Sequence, residues 1–243
     1  MDRGKVLVDG DIIAYRAAFA TQDLFPEDAT AKVEELVDYI LEQTISLPFP
    51  TKDDYQVYLT GKTNFRFDIA KSYPYKGNRA SVEKPIHLGL CRDHMIERYD
   101  AIVSDNEEAD DLIAKGAAAL DYHCVVASID KDMLQIPCWH FNFGKNTWEK
   151  VSPEEGTRFF YTQLLTGDRA DNIIGLHGIG PKKAEKILSE CETEEDFWNA
   201  IYKAYDGDTE RIIENGRLLW LRRFNGELWE PPKEAGSTDT GQD

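Results

Sequence analysis

The sequence predicts an α/β fold, a parallel central sheet with helices on both faces. Three observations carry this. KVLVD (5–9), YQVYLTG (55–61), AIVS (101–104) and CVVAS (124–128) read as strands, the second by its alternation and the others as short apolar runs. Helical patterns fill the intervals, beginning with GDIIAYRAAFA directly after the first run and continuing at 31–46, 87–98 and 110–120. Strands that alternate with helices indicate a parallel sheet, because parallel neighbours need a long crossover.

Taken in order, the first strand ends on an acid and the third and fourth are followed by acids. Open parallel sheets bind ligands beyond the carboxyl ends of their strands. Asp9 closes the first strand; Glu107, Glu108, Asp110 and Asp111 follow AIVS; Asp130 and Asp132 follow CVVAS. Three clusters distant in sequence can therefore converge on one edge. A fourth, LTGDRADNI (165–173), places Asp168 and Asp171 three apart, so one helical turn would put both carboxylates on one side.

Each cluster has a plainer reading. In SDNEEADD, Asp105 could cap a helix with Glu108 three residues on, and early acids suit the helix dipole. SIDKD could be a surface turn. Capping does not explain why Asp110 and Asp111 adjoin where apolar residues begin, and four acidic clusters at element ends are poorly explained by chance. A divalent cation would turn their repulsion into attraction, and hard oxygen ligands suit magnesium or manganese. Two such ions about 4 Å apart suit phosphodiester hydrolysis without a serine or histidine nucleophile. Glu107 reads as a solvated neighbour.

Composition narrows the classes. The 243 residues carry 28 basic and 45 acidic side chains, a net charge of −17, which taken alone disfavours a polyanionic partner. Cations bound at a carboxylate site would cancel part of that charge locally. Four scattered cysteines form no CxxC pair, so neither zinc nor a disulfide framework is indicated, and the five histidines are scattered too. No stretch is apolar enough to span a membrane, and MDRGKVLVDG does not read as a signal peptide, so the cytosol is the expected location.

From Ser152 onward the pattern turns helical. GLHGIGPKKAEKIL (175–188) is its most specific stretch: Gly178 and Gly180 permit a tight turn, Pro181 suits a first helical position, and Lys182, Lys183 and Lys186 add charge. Backbone N–H groups there could hold a phosphate. This matches a helix–hairpin–helix that grips duplex backbone; the plainer reading is a glycine-rich turn with a solvated lysine face. A second basic stretch, NFRFDIAKSYPYKGNR (64–79), interleaves Arg66, Lys71, Lys76 and Arg79 with Phe65, Phe67, Tyr73 and Tyr75. Cations and aromatics together suit a nucleic-acid strand, and a surface loop is the alternative. The expected organisation is a core at 1–150 that includes a basic clamp at 62–86, a helical DNA-binding region at 151–230 completing the metal site, with a late amphipathic element at 217–229, and a disordered acidic tail at 231–243.

VDG, EADD, SIDKD, LTGDRADN and GLHGIGPKKAEKI, in that order and with YPYKGNR between the first two, closely resemble the flap endonuclease/5′→3′ exonuclease superfamily. DGD near the start and KGNRASVEKP look most like bacteriophage 5′→3′ exonucleases. The resemblance spans about residues 5–188. It implies a PIN-like core, a C-terminal helix–hairpin–helix and metal-dependent hydrolysis of duplex DNA at 5′ ends or flaps, with primer RNA or an RNA–DNA hybrid as a further substrate. It implies a first metal held by Asp9, Glu108, Asp110 and Asp130, and a second held by Asp132, Asp168 and Asp171, both Mg2+ or Mn2+, with Asp111 counted among the metal residues as an adjacent acid. Lys76 and Arg79 would act at the scissile phosphate. Arg66, Tyr75, Gly178, Gly180, Lys182 and Lys183 would contact DNA, Tyr75 by stacking, and backbone carbonyls of the hairpin would hold a potassium ion. The family usually carries a further Asp after the second strand, where this chain reads YLTGKTN; Asp11 is the available substitute.

Two other classes compete. VLVDGDI resembles the nucleophile motif of haloacid-dehalogenase-type phosphatases, with Asp9 as nucleophile and Asp11 as general acid. A non-catalytic DNA-end-binding protein would use the hairpin alone. The first leaves EADD, SIDKD and the hairpin unexplained, and the second leaves the acidic clusters unexplained.

Overall fold

The computed structural model describes residues 4–45, 51, 53–79 and 83–232. Its chain divides into two compact units. A sheet unit comprises Met1–Asp68, Arg79–Gly156 and Leu221–Glu227; a helical unit comprises Ile69–Asn78, Thr157–Trp220 and Leu228–Asp243. This differs from the linear division at residue 150. Residues 69–78 of the basic clamp group with the helices, and residues 221–227 return to the sheet.

Six strands form the sheet: β1 (Lys5–Asp9), β2 (Tyr55–Leu59), β3 (Ile102–Val103), β4 (Cys124–Ala127), β5 (Trp139–Asn142) and β6 (Thr147–Lys150), in the order β3-β2-β1-β4-β5-β6. All neighbours pair in parallel except β5 and β6, an antiparallel hairpin at the edge. Val8 sits between Val57 and Ala127 in register. The period of two sends Val6 and Val8 to one face and Leu7 to the other. The first face packs beneath α1 (Gly10–Ala20), α2 (Pro26–Thr44) and α4 (Leu88–Tyr99), through Ile13, Val33, Val37 and Met95. α3 (Arg66–Ile69) is a single turn. The second face packs beneath α5 (Ala109–Ala119), through Ile113, Ala114 and Ala117. Both faces are covered, which is why the central strands read as unbroken apolar runs.

This topology places the chemistry. From β1 the chain crosses to β2 and β3 on one side, then to β4 and β5 on the other. The switch therefore lies between β1 and β4, the point beyond whose carboxyl ends open parallel sheets bind their ligands. Asp9 and Ser128–Asp130 occupy those ends. Gly10 allows the tight exit, since a Cβ there would lie 2.6 Å from the Tyr58 carbonyl oxygen.

The helical unit contains α6 (Pro153–Thr166, whose first turn belongs to the sheet unit), β7 (Gly167–Asp168), β8 (Ile173–Ile174), α7 (Pro181–Leu188), α8 (Glu194–Ala204) and α9 (Thr209–Leu219). Phe160, Tyr161, Leu164, Phe197, Ile201, Ile212 and Trp229 build its core. α8 opens on a reciprocal cap: Thr193 Oγ accepts from Asp196 N–H at 3.2 Å, and Asp196 Oδ2 accepts from Thr193 N–H at 2.8 Å. The amphipathic stretch expected over 217–229 is not one element. α9 ends at Leu219, and the rest of the stretch forms neither helix nor strand.

α9 also carries a buried glycine. A Cβ on Gly216 would lie 2.2 Å from Cε3 of the Trp229 ring. Alanine is the better helix former by about 1 kcal/mol, yet Gly216→Ala is expected to destabilise by about 1–3 kcal/mol through overpacking. A urea-denaturation midpoint below the wild-type value checks this.

Candidate metal centre

Asp9 is the focus of the sheet unit's acids. It is 2% exposed and caps α1, with Oδ1 accepting from Ile12 N–H at 3.2 Å. Oδ2 accepts from the Ser128 hydroxyl at 2.6 Å, which joins the end of β1 to the end of β4. Burial is the largest influence on its carboxyl. The Ser128 and Ile12 hydrogen bonds oppose it, while the charges of Asp11 and Asp130 add to it, and the carboxyl is pushed up to about 7. Asp130 caps the short 3₁₀ turn at 131–135: its Oδ1 accepts from Asp132 N–H at 2.9 Å, and its own N–H donates to Ser128 Oγ at 3.0 Å. Asp132 pairs with the Lys131 ammonium at 2.8 Å.

These donors fit a hard divalent cation in kind. They are carboxylate and hydroxyl oxygens, and the buried Asp9 carboxylate lies within electrostatic reach of two further acids, Asp11 and Asp130. Among the described residues, no three His, Cys, Asp or Glu side chains are gathered into a ready-made metal cluster. Glu108 and Asp110 stand at the start of α5, where Glu108 is the N-cap and Asp110 lies in the first turn.

Asp11 does not substitute for a missing ligand. Arg92 pairs with its Oδ1, its Oδ2 accepts from Thr60 N–H at 3.0 Å, and Arg92 also donates to the Thr60 carbonyl. Thr60 stands where the resemblance implied a carboxylate, and its hydroxyl accepts from Ala109 N–H at 2.9 Å, at the start of α5.

Four other expectations are corrected. Asp111 is not arranged as a metal ligand. It is fully buried, its Oδ2 accepts from Arg66 Nη1 at 2.6 Å and Glu108 N–H at 3.0 Å, and its Oδ1 accepts from Arg66 Nη2 at 2.9 Å and Arg222 N–H at 3.1 Å. Arg66 is 1% exposed in that pair, so it is not placed to meet DNA. Glu107 is buried rather than solvated, paired with Lys115 and 3.7 Å from Arg222. Helix capping at α5 involves Glu108 and Asp111, not Asp105.

In the helical unit, Asp168 and Asp171 lie on the β7–β8 hairpin rather than on a helical turn. Asp168 Oδ1 accepts from Ala170 N–H at 2.6 Å, an Asx-type turn, and Gly167 and Asn172 take positive φ angles of 69° and 59°. Tyr75 is 4% exposed and donates its hydroxyl to Asp171 Oδ2 at 2.8 Å, so its ring is core rather than a stacking platform. Lys76 Nζ lies 3.7 Å from the same oxygen. Asn78 Nδ2 donates to the Arg169 carbonyl at 2.7 Å, next to Arg79, which is exposed. Gly178 has a φ of 73° and its carbonyl accepts from Lys183 Nζ at 2.7 Å; Gly180 caps α7, Pro181 opens it as expected, and Lys182 is exposed. Sequence reasoning missed Ser128, Thr60, Arg92 and Arg222. SerxAsp after a buried strand was the available signal for the first; the others depend on tertiary pairing.

A family profile described as the 5′-3′ exonuclease, N-terminal resolvase-like domain, matches residues 5–155. The chain is 30% identical over 225 residues to DNA polymerase I of Bacillus caldotenax, covering 83% of this chain and 25% of that one. It therefore spans about a quarter of the length of that relative. It is 25% identical over 213 residues to a 5′-3′ exonuclease of Mycoplasma pneumoniae, covering 79% of this chain and 73% of the relative. In fold it resembles the bacteriophage T5 D15 flap endonuclease solved with DNA and metal ions, with a TM-score of 0.61, 19% identity, and 89% and 88% of the two chains covered. Among the described residues, no helix is long and apolar enough to cross a membrane.

Proposed function

The chain belongs to the 5′–3′ exonuclease family through its match over residues 5–155, and from that premise we propose that it hydrolyses phosphodiester bonds at 5′ ends or flaps of duplex DNA. The observation that carries this reading is the buried Asp9 carboxylate at the β1–β4 switch, beside Asp11 and Asp130, with its carboxyl raised to about 7. Such a group is stable as an anion once a cation joins it. Asp9 and Asp130, with Glu108 and Asp110, would hold a divalent ion, with Asp132 supplying a further carboxylate at the same strand end. Asp168 and Asp171 would hold a second. Bound ions of this class, Mg2+ or Mn2+, neutralise phosphate charge and lower the pKa of a water.

The chain's own groups do the rest. Ser128 and Ile12 N–H fix the Asp9 carboxylate, so it need not reorganise when charge develops nearby. Lys76 would meet the scissile phosphate and Arg79 the backbone of the same strand. Gly178, Gly180, Lys182 and Lys183 would hold the duplex backbone without reading its sequence, with K+ at the hairpin carbonyls. An RNA–DNA hybrid belongs to the same proposed substrate class. A phosphatase using Asp11 as general acid is disfavoured because Arg92 and Thr60 N–H engage both of its oxygens.

End-labelled flap, blunt-duplex and primer-RNA substrates test the proposal. Short 5′ products are expected with Mg2+ and none with EDTA. Hydrolysis of small phosphate monoesters with DNA left intact, or tight DNA binding with no cleavage in either metal, would overturn it.

A further inference from the structure

Around the start of α5 lies a second set of charges that this chemistry does not use. Residues 221–227 return to the sheet unit there and are fastened at several points. Leu221 N–H donates to Gln135 Oε1 at 3.3 Å and Arg222 N–H to Asp111 Oδ1 at 3.1 Å. Arg222 is 9% exposed, with Nε donating to the Glu227 carbonyl at 2.9 Å and the guanidinium 3.3 Å above the centre of the Phe65 ring. The Arg66 guanidinium also lies over that ring, at 4.7 Å. Lys115 joins Glu107 to Asn225 Oδ1, the latter at 2.8 Å.

We propose that Arg66 and Arg222 are positioning residues for the carboxylates that open α5, and that residues 221–227 form a strap which sets the affinity of this unit for its divalent ion. The inference rests on the reading of Glu108 and Asp110 as ligands. The route is short. One Asp111 oxygen accepts both the Arg66 guanidinium and the N–H of Glu108 itself. The other accepts Arg66 and the strap backbone at Arg222. Arg66 Nη1 also lies 3.8 Å from Glu108 Oε2. Fixing Asp111 therefore fixes the turn that carries Glu108 and Asp110. A purely structural role would be served as well by apolar residues of similar volume, which often match or exceed a buried ion pair in stability. Charged groups that orient a ligand from behind act instead on metal affinity, typically by 10–100-fold.

The test is direct Mn2+ binding by electron paramagnetic resonance, on wild type, Arg222→Gln and Arg66→Lys. Each is measured well below its own melting temperature. His140→Gln serves as a destabilised control, because His140 is buried on β5 and bonded to the Ile136 carbonyl. The Kd for Mn2+ is expected to rise about tenfold in both arginine variants and to stay unchanged in the control, with kcat recovering at saturating metal. Asn225→Ala, an exposed change, should give a smaller rise and keeps the test available if Arg66→Lys fails to fold. Variants that bind Mn2+ within twofold of wild type overturn the strap alone. A wild type that neither binds Mn2+ nor cleaves DNA overturns the underlying reading and the strap with it.

Discussion

Asp9→Asn is expected to lower DNA cleavage by about 10³-fold or more while raising the melting temperature of the metal-free protein. Loss of a ligand that positions a catalytic cation removes several kcal/mol of transition-state stabilisation, and each 1.36 kcal/mol is about tenfold in rate. The stability effect follows from the raised carboxyl, which moves from 3.8 to about 7 on folding. Below about pH 4 this group is protonated in both states and costs nothing. Between about pH 4 and 7 the unfolded chain ionises while the folded chain resists, so stability falls as pH rises; above about pH 7 the full penalty persists. A shift of about three units corresponds to at most about 4 kcal/mol. Asparagine keeps an acceptor for Ile12 N–H and can donate to Ser128 without the charge. Calorimetry in EDTA should show the variant more stable by several degrees at pH 8 and nearly unchanged at pH 4. In Mg2+ the wild type should recover the difference. Unchanged cleavage, or a pH-independent stability difference, would contradict this account of Asp9.

The second large effect is structural. Asp111→Ala removes a fully buried carboxylate that accepts four hydrogen bonds, and it strips the bidentate partner from an arginine that is 1% exposed. Breaking a buried pair on one side typically costs about 3–5 kcal/mol, because the surviving charge stays desolvated. At this chain length that corresponds to roughly 10 °C in Tm. Asp111 is held ionised despite its burial, mainly by Arg66, with Arg222 and Glu108 N–H adding to it. Replacing both partners, Arg66→Met with Asp111→Leu, should recover much of the loss, and a double-mutant cycle on denaturation midpoints measures the coupling. Equal destabilisation by the single and the double variants would contradict the pairing.

The sheet was legible because its central strands are buried on both faces and read as continuous apolar runs. The place of Asp9 was legible for a related reason: it ends β1, and a strand fixes the residue that ends it, whereas Asp130 follows the end of β4 and is placed by its cap on the next turn. Asp168 and Asp171 were expected on one helical turn and lie on a hairpin. Gly167 and Asn172, both at positive φ, were the turn signals that argue against a helix there. The β5–β6 hairpin was missed, although its turn carries Gly144 and Asn146, the latter at positive φ. Partner choice was not legible. Arg66 and Asp111 are 45 residues apart, and local composition cannot tell a buried arginine from a DNA-facing one. NFRF and YPYK both read as basic and aromatic, yet Arg66 and Tyr75 serve the interior. Glu107 failed for the same reason, since its partners Lys115 and Arg222 are joined to it only by the fold.

The central claim is that carboxylates at these element ends hold the cations that drive 5′ cleavage. Its most direct measurement is single-turnover cleavage of an end-labelled 5′ flap in Mg2+ by wild type, Asp130→Ala and Asp168→Ala. The wild type should release short 5′ products, and both variants should lose turnover while retaining DNA binding. Full activity in either variant would contradict the site.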